Sequence, residues 1–289
     1  MAKIDEIIQF AREFEATDIY MTDGMPLMLR INGKLARAPF QPSQKEVEET
    51  IYEILNQKKI KAFDDGEDIN VAFSTQNGNR QRIHVYRQRK RIAAVVHLLC
   101  PDIPVFEENS IFPQMKDILE LQEGLILITG KQGSGRTTTV VSMLEYLNQT
   151  SEKHILMLEN PVEYLFNGKK SLIHQREMGR DAESMEKALK SAMYESCDVI
   201  FVSEIKDFES LQGILRLIEA GNLVIAIVNI AEAKRAGNYL LSLCPEFCRN
   251  RMETQLESGI KAIIQQKRVI DEGAGTAKIL SELISTIED

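Results

Sequence analysis

Residues 130–139 read GKQGSGRTTT and follow directly on the apolar run LILIT. Glycines at 130, 133 and 135 open backbone conformations closed to other residues, so successive amide N–H groups can converge on one anion. A helix opening at Arg136 adds the partial positive charge of its N-terminus, and the Thr137 hydroxyl stands where a Mg²⁺ ligand is needed. This is the context of a phosphate-binding P-loop. Its nucleotide-binding residues are expected to be Gly130, Gly133, Ser134, Gly135, Arg136, Thr137 and Thr138. One position departs from the pattern. The lysine expected after Gly135 is Arg136, whose guanidinium keeps the charge but is longer, planar and forked where a compact ammonium reaches the β- and γ-phosphates.

Two further segments supply carboxylates. VIFVSE, residues 199–204, is a buried-strand pattern ending in Glu204, a carboxylate placed to face Mg²⁺ or an attacking water. HILMLENPVEYLF is another apolar strand, ending in Glu159, Asn160, Pro161 and Glu163. Glu204, Glu163 and Glu159 are therefore the candidate catalytic residues, with Thr137 and Glu204 as the candidate metal ligands. Taken singly, each segment leaves an alternative open: a glycine-rich turn without a ligand, or a glutamate that caps the next helix. The basic run Arg80, Arg82, Arg87, Arg89, Lys90, Arg91 is either a solvated strand face or a set of guanidiniums facing an anionic ligand or a neighbouring subunit. Strand alternation puts Arg80 and Arg82 on the same face.

These residues need a scaffold, and the chain has the composition to build one. It has 289 residues, 44% apolar and 27% charged, with a net charge of −8. That suits two folded domains and argues against bulk nucleic-acid binding. No run approaches the roughly 18–20 apolar residues of a membrane span, and the opening MAKIDEIIQFAREFE lacks a signal-peptide core. A cytoplasmic location is expected, with peripheral attachment at the inner membrane left open. Cys100, Cys197, Cys244 and Cys248 are too few and scattered for a disulfide framework. CPEFC lacks the second pair of a metal site, and His154 and His174 fall in different expected elements, so these are read as packing residues.

Residues 1–100 read as a small α+β domain. An amphipathic helix over residues 1 to about 15 carries Ile4, Ile7, Ile8, Ala11 and Phe14 at helical spacing. Short strands DIYMTDG, PLMLRING and KLARAPF, a helix near 43–56, and strands INVAFS, RQRIHVY and RIAAVVHLL follow. CPDIPVFEENSIFP, with three prolines, reads as a linker over 101–113. From 114 to 289 buried strands alternate with helices, the signature of a mainly parallel sheet covered on both faces. Helices are expected from Arg136, over 181–194 and over 207–220, with two more beyond 231. GIKAIIQQ, KRVID and AKILSELI are expected to be strands or a closing helix.

The order of these segments resembles the PilT-like type IV pilus retraction ATPases of the type II/IV secretion ATPase superfamily. ATDIYMTDGMPLMLRINGKL is similar to that family's opening segment and HILMLENPVEYLF to its aspartate box. IHQREMGRD is similar to the loop after it, DVIFVSEIKD to its Walker B and NLVIAIVNIAEA to its histidine box. The resemblance implies an α/β protein with a PAS-like α+β N-terminal domain and a RecA-like P-loop NTPase domain. It also implies ATP and Mg²⁺ as cofactors and a ring, either a homo-hexamer or mixed with a related ATPase. A type IV pilus inner-membrane platform protein is the implied partner, and nucleic acid is not. Arg80 and Arg82 match the basic residues that the N-terminal domain contributes to sites between subunits.

Several positions depart from the family pattern. Arg136 replaces the Walker-A lysine, Asn160 the aspartate of the aspartate box, Asn229 the histidine of the histidine box, Asn222 a second histidine, and His97 an arginine before the linker. Glu159, Glu163, Glu204, Thr137 and the loop glycines are retained. The sequence also ends soon after AKILSELI, short of the C-terminal helices the resemblance implies. The substitutions fall on charge-handling positions, so nucleotide binding is expected to survive better than turnover. The function expected is a nucleotide-binding motor-family protein with weak or impaired ATP hydrolysis. The alternative is a regulatory or ring-assembly paralogue that does not hydrolyse ATP. A small-molecule kinase on a P-loop scaffold accounts for residues 125–139 but for none of the N-terminal domain.

Overall fold

A computed structural model describes residues 3–108, 111–270 and 277–285. Asn109 and Ser110 of the expected linker, Asp271 of KRVID, and Met1 and Ala2 lie outside the described residues. The described residues fall into two compact units that divide between Asp102 and Ile103.

The first unit opens with α1 (Lys3–Glu13), whose Ile4, Ile7, Ile8 and Ala11 are all buried, as the i, i+3, i+4, i+7 spacing requires. Strands β1 (Ala16–Thr22), β2 (Met28–Ile31) and β3 (Lys34–Arg37) follow, with Asn32 and Gly33 at positive φ in the turn between β2 and β3. Helix α2 (Gln44–Tyr52) starts at a capping box of Ser43 and Glu46. α2 lies within the helix expected near 43–56, and a further helix follows beyond that span. This is α3 (Gln57–Asp64), which starts where Asn56 accepts a hydrogen bond from the Lys59 N–H at 3.0 Å and caps a new first turn. Then β4 (Ile69–Ser74), β5 (Arg80–Gln88) and β6 (Arg91–Leu98) complete a six-stranded sheet of order β3-β2-β1-β6-β5-β4, its pairings antiparallel. The helices and one face of this sheet enclose Ile19, Val47, Ile51, Phe63, Ile83 and Val96. Each large apolar side chain fully buried there stabilises the unit by about 1.5–3 kcal/mol.

The second unit begins with a 3-10 turn at Phe106–Glu108 and α4 (Phe112–Leu119). Phe106 is buried, and the rings of Phe106 and Phe112 lie 6.1 Å and 5.4 Å from that of Tyr146. Aromatic contacts thus anchor this proline-bearing stretch on the second unit. Next come β7 (Gly124–Gly130), α5 (Arg136–Thr150), β8 (His154–Glu159), β9 (Leu172–Glu177), α6 (Met185–Ala192), β10 (Val199–Val202) and α7 (Phe208–Glu219). The unit closes with β11 (Leu223–Ile227), α8 (Ala236–Ser242), α9 (Arg249–Gly259), β12 (Ile260–Ile270) and β13 (Ala277–Ser285).

The sheet order is β13-β12-β7-β11-β10-β8-β9, and every pairing is parallel except β12 with β13. All residues of β7, β10 and β11 are buried, which explains their unbroken apolar runs. The chain is therefore an α/β protein, an antiparallel-sheet N-terminal domain followed by a RecA-like domain.

Two details differ from the sequence expectation. The segment expected as a loop, IHQREMGRD, supplies all but the first residue of edge strand β9, hidden in the sequence because Leu172 and His174 on one face are exposed and no apolar run marks it. His154 and His174 do lie in different elements, but those are the neighbouring strands β8 and β9, and His154 Nε2 lies 3.0 Å from His174 Nδ1. Cys244 packs in the core with Cys248 against it. Among the described residues no group of three or more His, Cys, Asp or Glu side chains can hold a metal ion. No helix there is long and apolar enough to cross a membrane.

Candidate functional site

Strand order decides which side chains meet. β11 lies between β7 and β10, and β8 lies on the far side of β10. Ile227 pairs with Ile128, Ala226 with Val202, and Val202 with Leu158. The residues just beyond these pairs therefore leave one sheet edge in the order P-loop, Asn229, Glu204, Glu159. In an open parallel sheet this carboxyl edge is where ligands bind.

The P-loop closes on itself tightly. Gly130, Gly133 and Gly135 have φ of 147°, 76° and 87°. A Cβ on Gly130 would lie 2.5 Å from Ser134 Oγ and 2.6 Å from the Gln266 carbonyl oxygen, so only glycine fits. The Gly130 N–H donates to the Ile230 carbonyl at 2.7 Å and the Ser134 N–H to that of Lys131 at 3.1 Å. Helix α5 starts from Gly135 with no side-chain cap, so its first N–H groups are left for another acceptor. Ser134 is 2% exposed, and its Oγ has no hydrogen-bond partner among the described residues. A buried hydroxyl beside an uncapped helix start is what a phosphate oxygen would satisfy, and the cradle fits such a group. Behind it, buried Gln266 of β12 donates to Thr139 Oγ1 at 2.5 Å and to Ser281 Oγ at 3.2 Å, tying α5 to the hairpin.

Arg136 does not point back into this cradle. Its Nη1 donates to the Val228 carbonyl at 3.1 Å and to Asn229 Oδ1 at 2.5 Å, and Asn229 Nδ2 in turn donates to Glu204 Oε1. Burial lowers the Arg136 pKa, while the Glu204 carboxylate works against that shift. The guanidinium stays charged and is shared between a carbonyl and an amide that leads to Glu204. Three sequence positions, two of them departures from the family pattern, are thus joined in one chain of hydrogen bonds.

The remaining candidates are placed differently. Glu159 is 1% exposed and its Oε1 accepts from Gln175 Nε2 at 3.1 Å. Gln175 also donates to the Tyr164 carbonyl at 2.7 Å and accepts from the Phe166 N–H at 2.9 Å, while Glu177 accepts from the Val162 N–H at 3.1 Å. The loop carrying half-buried Glu163 is held in this way from β9. Thr137 and Thr138 are half-buried in the first turn of α5. Arg80 and Arg82 belong to the first unit, on β5, where Arg82 Nε donates to Asn70 Oδ1 at 2.9 Å. Asn222 stands at the start of β11, at the opposite sheet edge, and its Nδ2 donates to the Cys197 carbonyl. His97 Nδ1 lies 2.5 Å from Asp18 Oδ1 in the first unit. Gln175 and Gln266 carried no sequence signal, since a lone glutamine in a strand has no diagnostic spacing.

Residues 104–277 match the family model for type II/IV secretion system proteins, more than half of the chain. The chain belongs to that family. This family member is 30% identical over 284 residues to the type IV pilus retraction ATPase PilT of Pseudomonas aeruginosa, covering 98% of this chain and 83% of that protein. Among solved structures, the pilus retraction motor PilT with bound ADP matches with a TM-score of 0.86 at 32% identity, covering 100% of this chain and 84% of that one. The ATPase DotB of Legionella pneumophila matches with a TM-score of 0.83 at 21% identity, covering 99% of this chain and 81% of that one, a likeness of fold. The chain is a PilT-like member of its family.

Proposed function

We propose that this PilT-like chain binds ATP with Mg²⁺ and works as a subunit of a motor ring of the type IV pilus retraction or secretion class, with weak ATP hydrolysis. The observation that carries the reading is the contrast within one loop. Three positive-φ glycines and an unpartnered Ser134 hydroxyl support a phosphate cradle, while the Arg136 guanidinium is bonded to Val228 and Asn229. The likeness to a PilT structure with bound ADP supports nucleotide binding.

In this reading Gly130, Gly133, Ser134, Gly135 and Thr138 hold the phosphates, and Thr137 and Glu204 hold Mg²⁺, which supplies charge neutralisation on the phosphate oxygens. Glu204 and Glu163 orient the attacking water, and Glu159 braces the edge through Gln175. Transition-state charge is served less well than by a lysine, because the guanidinium must first leave Val228 and Asn229, and misplacing such a group by about 1 Å costs on the order of 10²-fold in rate. Arg80 and Arg82 contribute to the nucleotide site of a neighbouring subunit in a homo-hexamer or mixed ring. The ring sits in the cytoplasm against an inner-membrane platform protein.

Phosphate release by the wild-type chain and by Glu204→Gln tests this reading. Slow release that Glu204→Gln abolishes, with nucleotide binding kept, is the expected result. Absence of release at every protein concentration, with binding kept, assigns the chain to the non-hydrolysing regulators instead.

A further inference from the structure

Arg136 and Asn229 are both changed from the family pattern, and they touch. The topology makes this contact: β11 is the one strand between the P-loop strand and the Glu204 strand, so Asn229 sits between Arg136 and Glu204. Its amide is used on both sides, Oδ1 accepting from Arg136 and Nδ2 donating to Glu204. An aspartate could do only the first of these and an apolar residue neither. We propose that Asn229 is a positioning residue that latches Arg136 to the end of β11 in the nucleotide-free protein and joins it to Glu204. Phosphate must draw the guanidinium out of this latch, and Glu204 is loosened in the same step.

The half-buried guanidinium needs acceptors whether or not phosphate is present. Without phosphate it has Val228 O and Asn229 Oδ1; phosphate oxygens offer a charged, bidentate alternative. The two sets compete for one side chain, so the latch weakens nucleotide affinity and couples occupancy to the Glu204 carboxylate. This inference rests on the proposed use of the P-loop as a nucleotide site.

The test compares Mg·ADP affinity in wild type, Asn229→Leu, Arg136→Ala and the double variant. Leucine keeps the bulk between Arg136 and Glu204 but removes both polar atoms. The expected result is about tenfold tighter binding in Asn229→Leu, weaker binding in Arg136→Ala, and no effect of Asn229→Leu once Arg136 is gone. A merely structural role for Asn229 would shift both backgrounds alike. Side-chain NMR of Arg136 adds a readout without nucleotide: restricted guanidinium rotation in wild type, averaged signals in Asn229→Leu. Free rotation in wild type, or unchanged or weaker ADP binding in a folded Asn229→Leu protein, overturns the latch. A restricted Arg136 in a protein that binds no ADP overturns the nucleotide-site reading and leaves Asn229 as a static brace.

Discussion

Ser134 allows a prediction in which stability and affinity move in opposite directions. Its Oγ is buried and has no partner among the described residues, and an unsatisfied buried hydroxyl costs about 1–3 kcal/mol. Ser134→Ala removes that group and nothing it was bonded to. The nucleotide-free variant should gain about 1–2 kcal/mol, which for a unit of this size raises its melting temperature by roughly 2–8 °C. With nucleotide the sign reverses. A hydroxyl hydrogen-bonded to a charged phosphate contributes about 1.5–3 kcal/mol, so Mg·ADP affinity should fall about ten- to hundredfold. Saturating nucleotide should then raise the melting temperature of wild type more than that of the variant. Thermal unfolding with and without Mg·ADP, paired with a fluorescent-nucleotide titration, reads both effects. A variant that melts lower without nucleotide and binds ADP as tightly as wild type would refute the reasoning.

Other expectations follow from the geometry. Gly135→Ala places a Cβ at φ 87° and 2.2 Å from Ile279 Cδ1, so it should destabilise the second unit by about 1–2 kcal/mol in chemical denaturation. Little of that loss should return in Gly135→Ala/Ile279→Ala, because the end of the Ile279 side chain can swing aside while the positive-φ strain remains. In the first unit, burial raises the Asp18 pKa, but hydrogen bonds from His97 and Thr17 and the charges of His97 and Arg30 outweigh it and hold it below 3.8. The ionised carboxylate is favoured in the folded state, so its stabilisation is full above 3.8 and lost as pH falls through the lower folded value. Melts from about pH 5 down to about pH 2 should therefore fall more steeply in wild type than in Asp18→Asn. Burial, with Glu195 and Asp198 adding to it, pushes the Cys197 thiol up to about 12. Exposed Cys100 should alkylate well before Cys197 in native protein, read by mass spectrometry; equal rates would contradict the burial of Cys197.

The parts of this architecture that were legible in the sequence are those governed by local rules. Apolar runs such as Val199–Val202 announce two-sided burial, and the glycines at 130, 133 and 135 announce backbone conformations closed to other residues, which their positive φ values match. Helix α3 lies beyond the helix expected near 43–56, and its start rests on the capping bond of Asn56, a single side-chain event with no periodic signal. Strand β9 was missed because an edge strand with exposed Leu172 and His174 lacks the burial that writes a pattern. The chain Arg136–Asn229–Glu204 is not legible in the sequence, although each of the three residues stands out there by itself. Its existence depends on β11 inserting between β7 and β10, a non-local pairing that spacing along the chain does not encode.

The measurement to make is a calorimetric titration of the purified protein with Mg·ATP, which reports binding heat and continuous heat of turnover in one experiment. Saturable binding followed by a small steady heat, absent in Glu204→Gln, is the predicted result. No binding heat at all would mean that the glycine cradle and Ser134 do not serve a nucleotide, and would contradict the account.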